Sequence, residues 1–163
     1  DGFVIGCLTS EGTLDKHFME MLIKAADGAP LTLHRCIDVS ANPLKTYLSA
    51  GEMGIDTVLT SGAASSALSG KKVIEDMIWL RDKLNAPEVL IGGGVSAAVI
   101  RKFKDKNPKT RAFHMSGKIE VESGMNFRKK GVPMGVPGLD EWHIVQTGEE
   151  NVREAKAVLS EYN

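Results

Sequence analysis

His34, Arg35 and Asp38 close one short apolar run, Leu31-Thr32-Leu33-His34-Arg35-Cys36-Ile37-Asp38. An imidazole and a carboxylate can pass a proton to or from a substrate, so His34 and Asp38 are the acid–base candidates. Arg35 could hold an anionic substrate group with two parallel hydrogen bonds, or tie down Asp38 instead. Asp38 could also cap backbone N–H groups beyond the strand end. While the strand continues, His34 and Arg35 must point to opposite faces.

The same grammar, an apolar run that ends in polar or glycine residues, recurs three times. Thr57-Val58-Leu59-Thr60-Ser61-Gly62 ends in hydroxyls, and Val89-Leu90-Ile91 ends in Gly92-Gly93-Gly94. Arg111-Ala112-Phe113-His114-Met115-Ser116-Gly117 ends in an imidazole and a hydroxyl, with Gly117 behind them. Thr60 and Ser61 with His114 and Ser116 would make a neutral, hydroxyl-rich pocket wall, because residues two apart in a strand share a face. The three glycines free backbone for close approach to a ligand, and Ser96 opens the helix behind them. A helix N-terminus attracts phosphate and other anions. The alternative is that the glycines serve only a tight turn. The spacing is neither a dinucleotide fingerprint nor a P-loop, and no nucleophile elbow surrounds Ser61 or Ser116. Cys7, Cys36, Met115, Met125 and Met134 are soft donors that suit Cu(I). None stands in tight ligand spacing and packing is their simpler use, so no metal ligand is assigned. His17 and His143 carry no motif.

The elements that must position these groups follow a repeat. Strands begin near residues 3, 31, 56, 88 and 111, an average step of about 27, the size of a right-handed βα unit. Helices are predicted from Asp15 to Ala26, from Pro43 to Gly51 or Gly54, through Val73 to Leu84, behind Ser96 to Phe103, and from about Glu149 to Leu159. The stretch from Lys118 to about Gly138 shows no clear period. An open doubly wound sheet and part of an eight-stranded barrel both accept this repeat; a whole barrel needs about 250 residues.

With 163 residues, 42% hydrophobic and 25% charged at net charge -1, the chain can bury one core over 1–163. There is no basic excess for nucleic acid and no run of about 20 apolar residues for a membrane span. Two cysteines without a CxxC pattern predict a cytoplasmic protein. A first residue of Asp instead of Met leads us to expect a processed or truncated start.

Thr32-Leu33-His34-Arg35-Cys36-Ile37-Asp38 with Asn42-Pro43 resembles the T-F-H-R-A-F-D…(D/N)-P segment of the CutC family, the copper homeostasis proteins. Gly6 to Asp15, Leu59-Thr60-Ser61-Gly62, Gly92-Gly93-Gly94-Val95 and Ser123-Gly124-Met125-Asn126-Phe127-Arg128 with Val132 and Met134-Gly135 follow that family in order. Leu33 and Ile37 stand where the family has Phe, and Cys36 where it has Ala. The resemblance implies a (β/α)8 TIM barrel, present here as an incomplete barrel of about five parallel βα units, the fourth to eighth. It also implies a pocket at the carboxyl end of the strands, and copper handling with Cu(I) as the bound ion. The family's acidic and arginine-rich pocket motifs on the first and third strands, and the N-terminal cysteines of its animal members, have no counterpart. Two other functions stay open: an enzyme acting on a small polar or anionic substrate, and a non-catalytic structural or regulatory fragment. Five units of a barrel leave open edges at Phe3–Leu8 and Arg111–Met115, so either self-association or a missing N-terminal segment is expected. The internal candidate for covering them is Lys118–Gly138.

Overall fold

The computed structural model describes residues 1–163 apart from Pro137, Leu139 and Asn163. Five parallel strands form one sheet: β1 Phe3–Ile5, β2 Leu31–Leu33, β3 Thr57–Thr60, β4 Glu88–Ile91 and β5 Ala112–Phe113. Their spatial order is their chain order, with registers such as Ile5 opposite Leu33 and Thr60 opposite Ile91. A doubly wound sheet reverses its strand order at a switch point, and this sheet does not. Consecutive right-handed crossovers place all the helices on one face. The architecture is therefore an incomplete parallel βα barrel of about five units.

Local sequence sets where each helix begins. Asp15 accepts from Phe18 N–H at 3.1 Å ahead of α1 Lys16–Ala25. Asn42 accepts from Lys45 N–H at 3.0 Å, with Pro43 opening α2 Pro43–Glu52. α3 Lys71–Leu84 stops at the left-handed Asn85, and Ser96 caps α4 Ala97–Lys106. The three central strands bury alternate residues beneath these helices: Leu31 and Leu33, Val58 and Thr60, Val89 and Ile91. Met19, Tyr47, Ile74, Met77, Ile100 and Phe103 fill the layer between sheet and helices. Arg81 joins α3 to the sheet at the N-terminal edge, paired with Glu88 and Asp82 and donating to Lys109 O at 3.3 Å.

Three expectations need correction. β1 and β5 are shorter than the apolar runs that announce them, because residues beyond Ile5 and Phe113 turn into loops. Lys118–Glu122 is a strand, β6, paired antiparallel with β7 His143–Thr147. This hairpin is exposed along its whole length and pairs with neither sheet edge. The segment expected to cover the open core therefore does not; Pro137 within it lies outside the described residues. The chain closes with α5 Glu149–Ser160, which packs beside α4 and is joined to it by the Arg101–Glu161 ion pair.

Candidate functional site

Parallel pairing carries the polar strand ends to one edge. His34 N–H donates to Ile5 O at 2.9 Å, Gly92 N–H to Thr60 O at 2.8 Å, and His114 N–H to Ile91 O at 2.8 Å. His34, Thr60, Gly92 and His114 thus share the carboxyl edge of the sheet.

The His34 strand has already ended at Leu33, and a 3-10 turn occupies Arg35–Val39. The rule of opposite faces therefore does not govern His34 and Arg35. His34 becomes the cap of that turn, its Nδ1 accepting from Cys36 N–H at 3.1 Å. An acceptor Nδ1 leaves the proton of the neutral ring on Nε2, so His34 offers a pocket an N–H donor. Its ring packs on Gly6, where a Cβ would come within 2.7 Å of it and 2.8 Å of Cys36 Sγ.

Asp38 is turned away to a different task. Its carboxylate accepts from Thr60 Oγ1 at 2.6 Å, Ala63 N–H at 3.0 Å, Ser61 N–H at 3.0 Å and Arg35 Nε at 2.6 Å. Arg35 reaches on to Ser61 Oγ at 2.6 Å, and Ser61 Oγ in turn meets Ala64 O at 2.6 Å. Burial raises the Asp38 pKa, but hydrogen bonds from Thr60, Arg35, Ala63 and Ser61 outweigh it and hold the carboxyl below the ordinary aspartate value. The side chain is 6% exposed against 46% for Arg35. The arrangement clasps the exit of β2 to the exit of β3, and no hydrogen bond joins His34 to Asp38 among the described residues.

The clasp continues into the glycine turn. Gly93 has φ +89°, and a Cβ there would come within 2.9 Å of Ser61 Cβ. Its carbonyl accepts from Ala67 N–H at 2.8 Å. Only glycine meets both demands, a left-handed backbone and close approach to the neighbouring loop. Gly92 lies beside His114, and Gly94 opens to solvent just before Ser96. His114 and Ser116 are both exposed, while Gly117 is buried against Thr147 and Val152.

Between Val95-Ser96-Ala97 and Met115-Ser116-Gly117-Lys118 lies a hollow of about 170 Å³, walled by Asn151 and Glu154 of α5. Asn151 Nδ2 donates to Gly117 O at 3.0 Å and so fixes that wall. Lys118 and Glu154 set opposite charges there. Sequence reasoning missed Asn151 and Glu154, because nothing in an amphipathic helix some 35 residues downstream marks a return to this edge. A larger groove of about 550 Å³ lies at the opposite, N-terminal edge between Leu48 and Pro87. It gathers none of the strand-end polar groups.

Burial and the neighbouring Cys7 thiol push Cys36 up to about 11, and burial with Asp15 also raises Cys7, which opposes the thiolate a metal requires. Both cysteines are free, and His34 Nδ1 is already occupied. Among the described residues no group of three or more His, Cys, Asp or Glu gathers as a ligand set. No helix there is long and apolar enough to cross a membrane.

Residues 1–119 match the CutC family. A family protein CutC of Porphyromonas gingivalis is 36% identical over 162 residues, covering 98% of this chain and 63% of that protein. One from Erwinia tasmaniensis is 35% identical over 133 residues, covering 82% of this chain and 51% of that protein. The chain thus spans about half to two thirds of the length of these curated relatives. The crystal structure of CutC from Streptococcus agalactiae superposes with a TM-score of 0.60 at 24% identity, over 68% of this chain and 53% of the other, and shares its fold. A barrel-type strand order, polar strand ends gathered at one edge and a family match over most of the length agree: the chain belongs to the CutC family.

Proposed function

We propose that this protein binds a small polar or anionic molecule at the carboxyl edge of its strands. The hollow flanked by Gly94, Ser96 and Ser116 is the seat. One observation carries the reading: the left-handed Gly93-Gly94 turn opens onto the capped N-terminus of α4, whose Ser96 and Ala97 line one hollow with Ser116 and Gly117. Backbone N–H groups at such a terminus favour negative charge, and βα barrels commonly use their last strands this way. Gly117 lines the hollow, while Gly92 and Thr60 are buried at the neighbouring strand ends. Arg35 and Ser61 hold Asp38 as the clasp at the neighbouring strand exits.

If the bound molecule is transformed, His34 and His114 are the groups able to move a proton, since the acceptor positions of Asp38 are filled. The five-unit span corresponds to the fourth to eighth units of the family barrel, which supports the placement of Gly92–Gly94 and 114–117 at its last two strands. The ligand reading has more support than copper handling, because burial raises the pKa of both thiols and His34 Nδ1 is already bonded. Two free thiols support a cytoplasmic setting. Phe3 and Val4, 55% and 64% exposed, support a polypeptide partner, a second copy or an additional segment, over the open flank of the sheet.

Thermal unfolding in inorganic phosphate tests the ligand reading. The midpoint should rise at millimolar phosphate, and the rise should vanish in His114→Ala/Ser116→Ala, whose side chains support no other part of the fold. Equal rises in both proteins would remove the site from this edge.

A further inference from the structure

Between α3 and α4 lies a further hollow of about 250 Å³, which shares no residue with the one at the carboxyl edge. Helical spacing builds its α3 wall. Glu75, Trp79 and Asp82 stand at i, i+4 and i+7, on one face of the helix, and all three line the hollow. Ile78 and Phe103, 3% and 1% exposed, add apolar surface beneath them. Trp79 is 59% exposed, so packing leaves much of its indole free to meet a ligand.

Two polar atoms of this lining are unmatched. Thr110 is 1% exposed, yet among the described residues its Oγ1 has no hydrogen-bond partner. Glu75 Oε1 is buried and equally without one. Lys71 Nζ approaches that oxygen only to 3.7 Å, beyond hydrogen-bond reach. Folded proteins pair nearly all their buried polar atoms, so two orphans on one hollow point to a donor supplied from outside. A carboxylate only accepts, and a hydroxyl oxygen can accept as well. The ligand must therefore bring N–H or O–H groups.

Charge narrows the choice. Asp82 is already held by Arg81 at 2.9 Å, which leaves Glu75 as the open carboxylate. The carbonyl end of α4, closing at Lys106, adds partial negative charge. Lys106 itself is exposed, and its long stem lets its ammonium stay in water. An anion would meet two carboxylates here. A hard metal ion needs several oxygen ligands, and Glu75 is one. The indole of Trp79 favours a cation over its face.

We infer that this hollow seats a small primary amine as its ammonium, donating to Glu75 Oε1 and Thr110 Oγ1, with its aliphatic body on Ile78, Phe103 and Trp79. The inference is independent of the anion site, which lies at the other edge of the sheet.

The test is to titrate butylammonium into the full 163-residue chain, following the Trp79 indole N–H and the Thr110 amide by NMR. Saturable shifts of both signals are expected at millimolar amine. Thr110→Val removes the hydroxyl at nearly constant shape. It should weaken binding about tenfold without lowering the thermal midpoint, because that hydroxyl makes no bond within the protein. Glu75→Gln should weaken binding by a similar factor. Butyltrimethylammonium, which keeps the charge but has no N–H, should bind at least about tenfold more weakly. Shifts that fail to saturate at tens of millimolar, unchanged affinity in either variant, or equal affinity for the trimethyl analogue would overturn the inference. Tighter binding of Nα-acetyl-lysine amide than of butylammonium would assign the seat to a polypeptide's lysine and overturn the free amine.

Discussion

Asp38 shows how one carboxylate can be drawn out of chemistry and into architecture. It is short enough to collect donors from Thr60, Ser61, Ala63 and Arg35 at once, and its low pKa follows from that company. Because its pKa is lower folded than unfolded, its stabilisation is complete above the ordinary value of about 3.9 and drains away as pH falls through the folded value. Asp38→Asn should therefore flatten the acid limb of the stability curve, read by denaturant unfolding between neutral pH and the acid range. At neutral pH it should cost about 2–3 kcal/mol, since an amide offers one acceptor where charge-assisted bonds met two. An unchanged acid limb would mean that the clasp contributes nothing. The pairing of Arg35 with Asp38 was legible in the sequence as one of two options. The capping role of His34 was not, because Arg35-Cys36-Ile37-Asp38-Val39 reads as strand until His34 Nδ1 captures the Cys36 amide and closes a 3-10 turn.

The βα repeat was legible because strands beneath helices read as unbroken apolar runs, and Asp15, Asn42 and Ser96 announce their helices. The β6–β7 hairpin was not. Its residues are all exposed, and Ile119 and Val121 alternate with charges without a core to face. Register comes instead from five cross-strand pairs, Lys118 opposite Thr147 to Glu122 opposite His143. At the opposite edge, Arg81 holds α3 to β4 with a side chain only 6% exposed. Arg81→Leu should destabilise the protein by about 2–4 kcal/mol, because Glu88 and Asp82 lose their buried partner. The slope of denaturant unfolding should stay constant. A loss under 1 kcal/mol would show that Arg111, which also reaches Glu88 at 2.6 Å, suffices alone.

The whole molecule is a run of βα units in which the sheet-and-helix core and the functional edge depend on the same parallel order. Chain order equal to spatial order brings Asp38, Ser61, Gly93 and His114 into one continuous line across the carboxyl edge. In the proposed function this line ends in a site for a small anion. Backbone amide chemical shifts followed during titration with inorganic phosphate test it most directly. Saturable shifts confined to residues 93–96 and 114–117 are expected at millimolar phosphate, with the Cys36 amide unmoved beneath His34. Absence of shifts in 93–96, or shifts scattered over surface lysines without saturation, would contradict it.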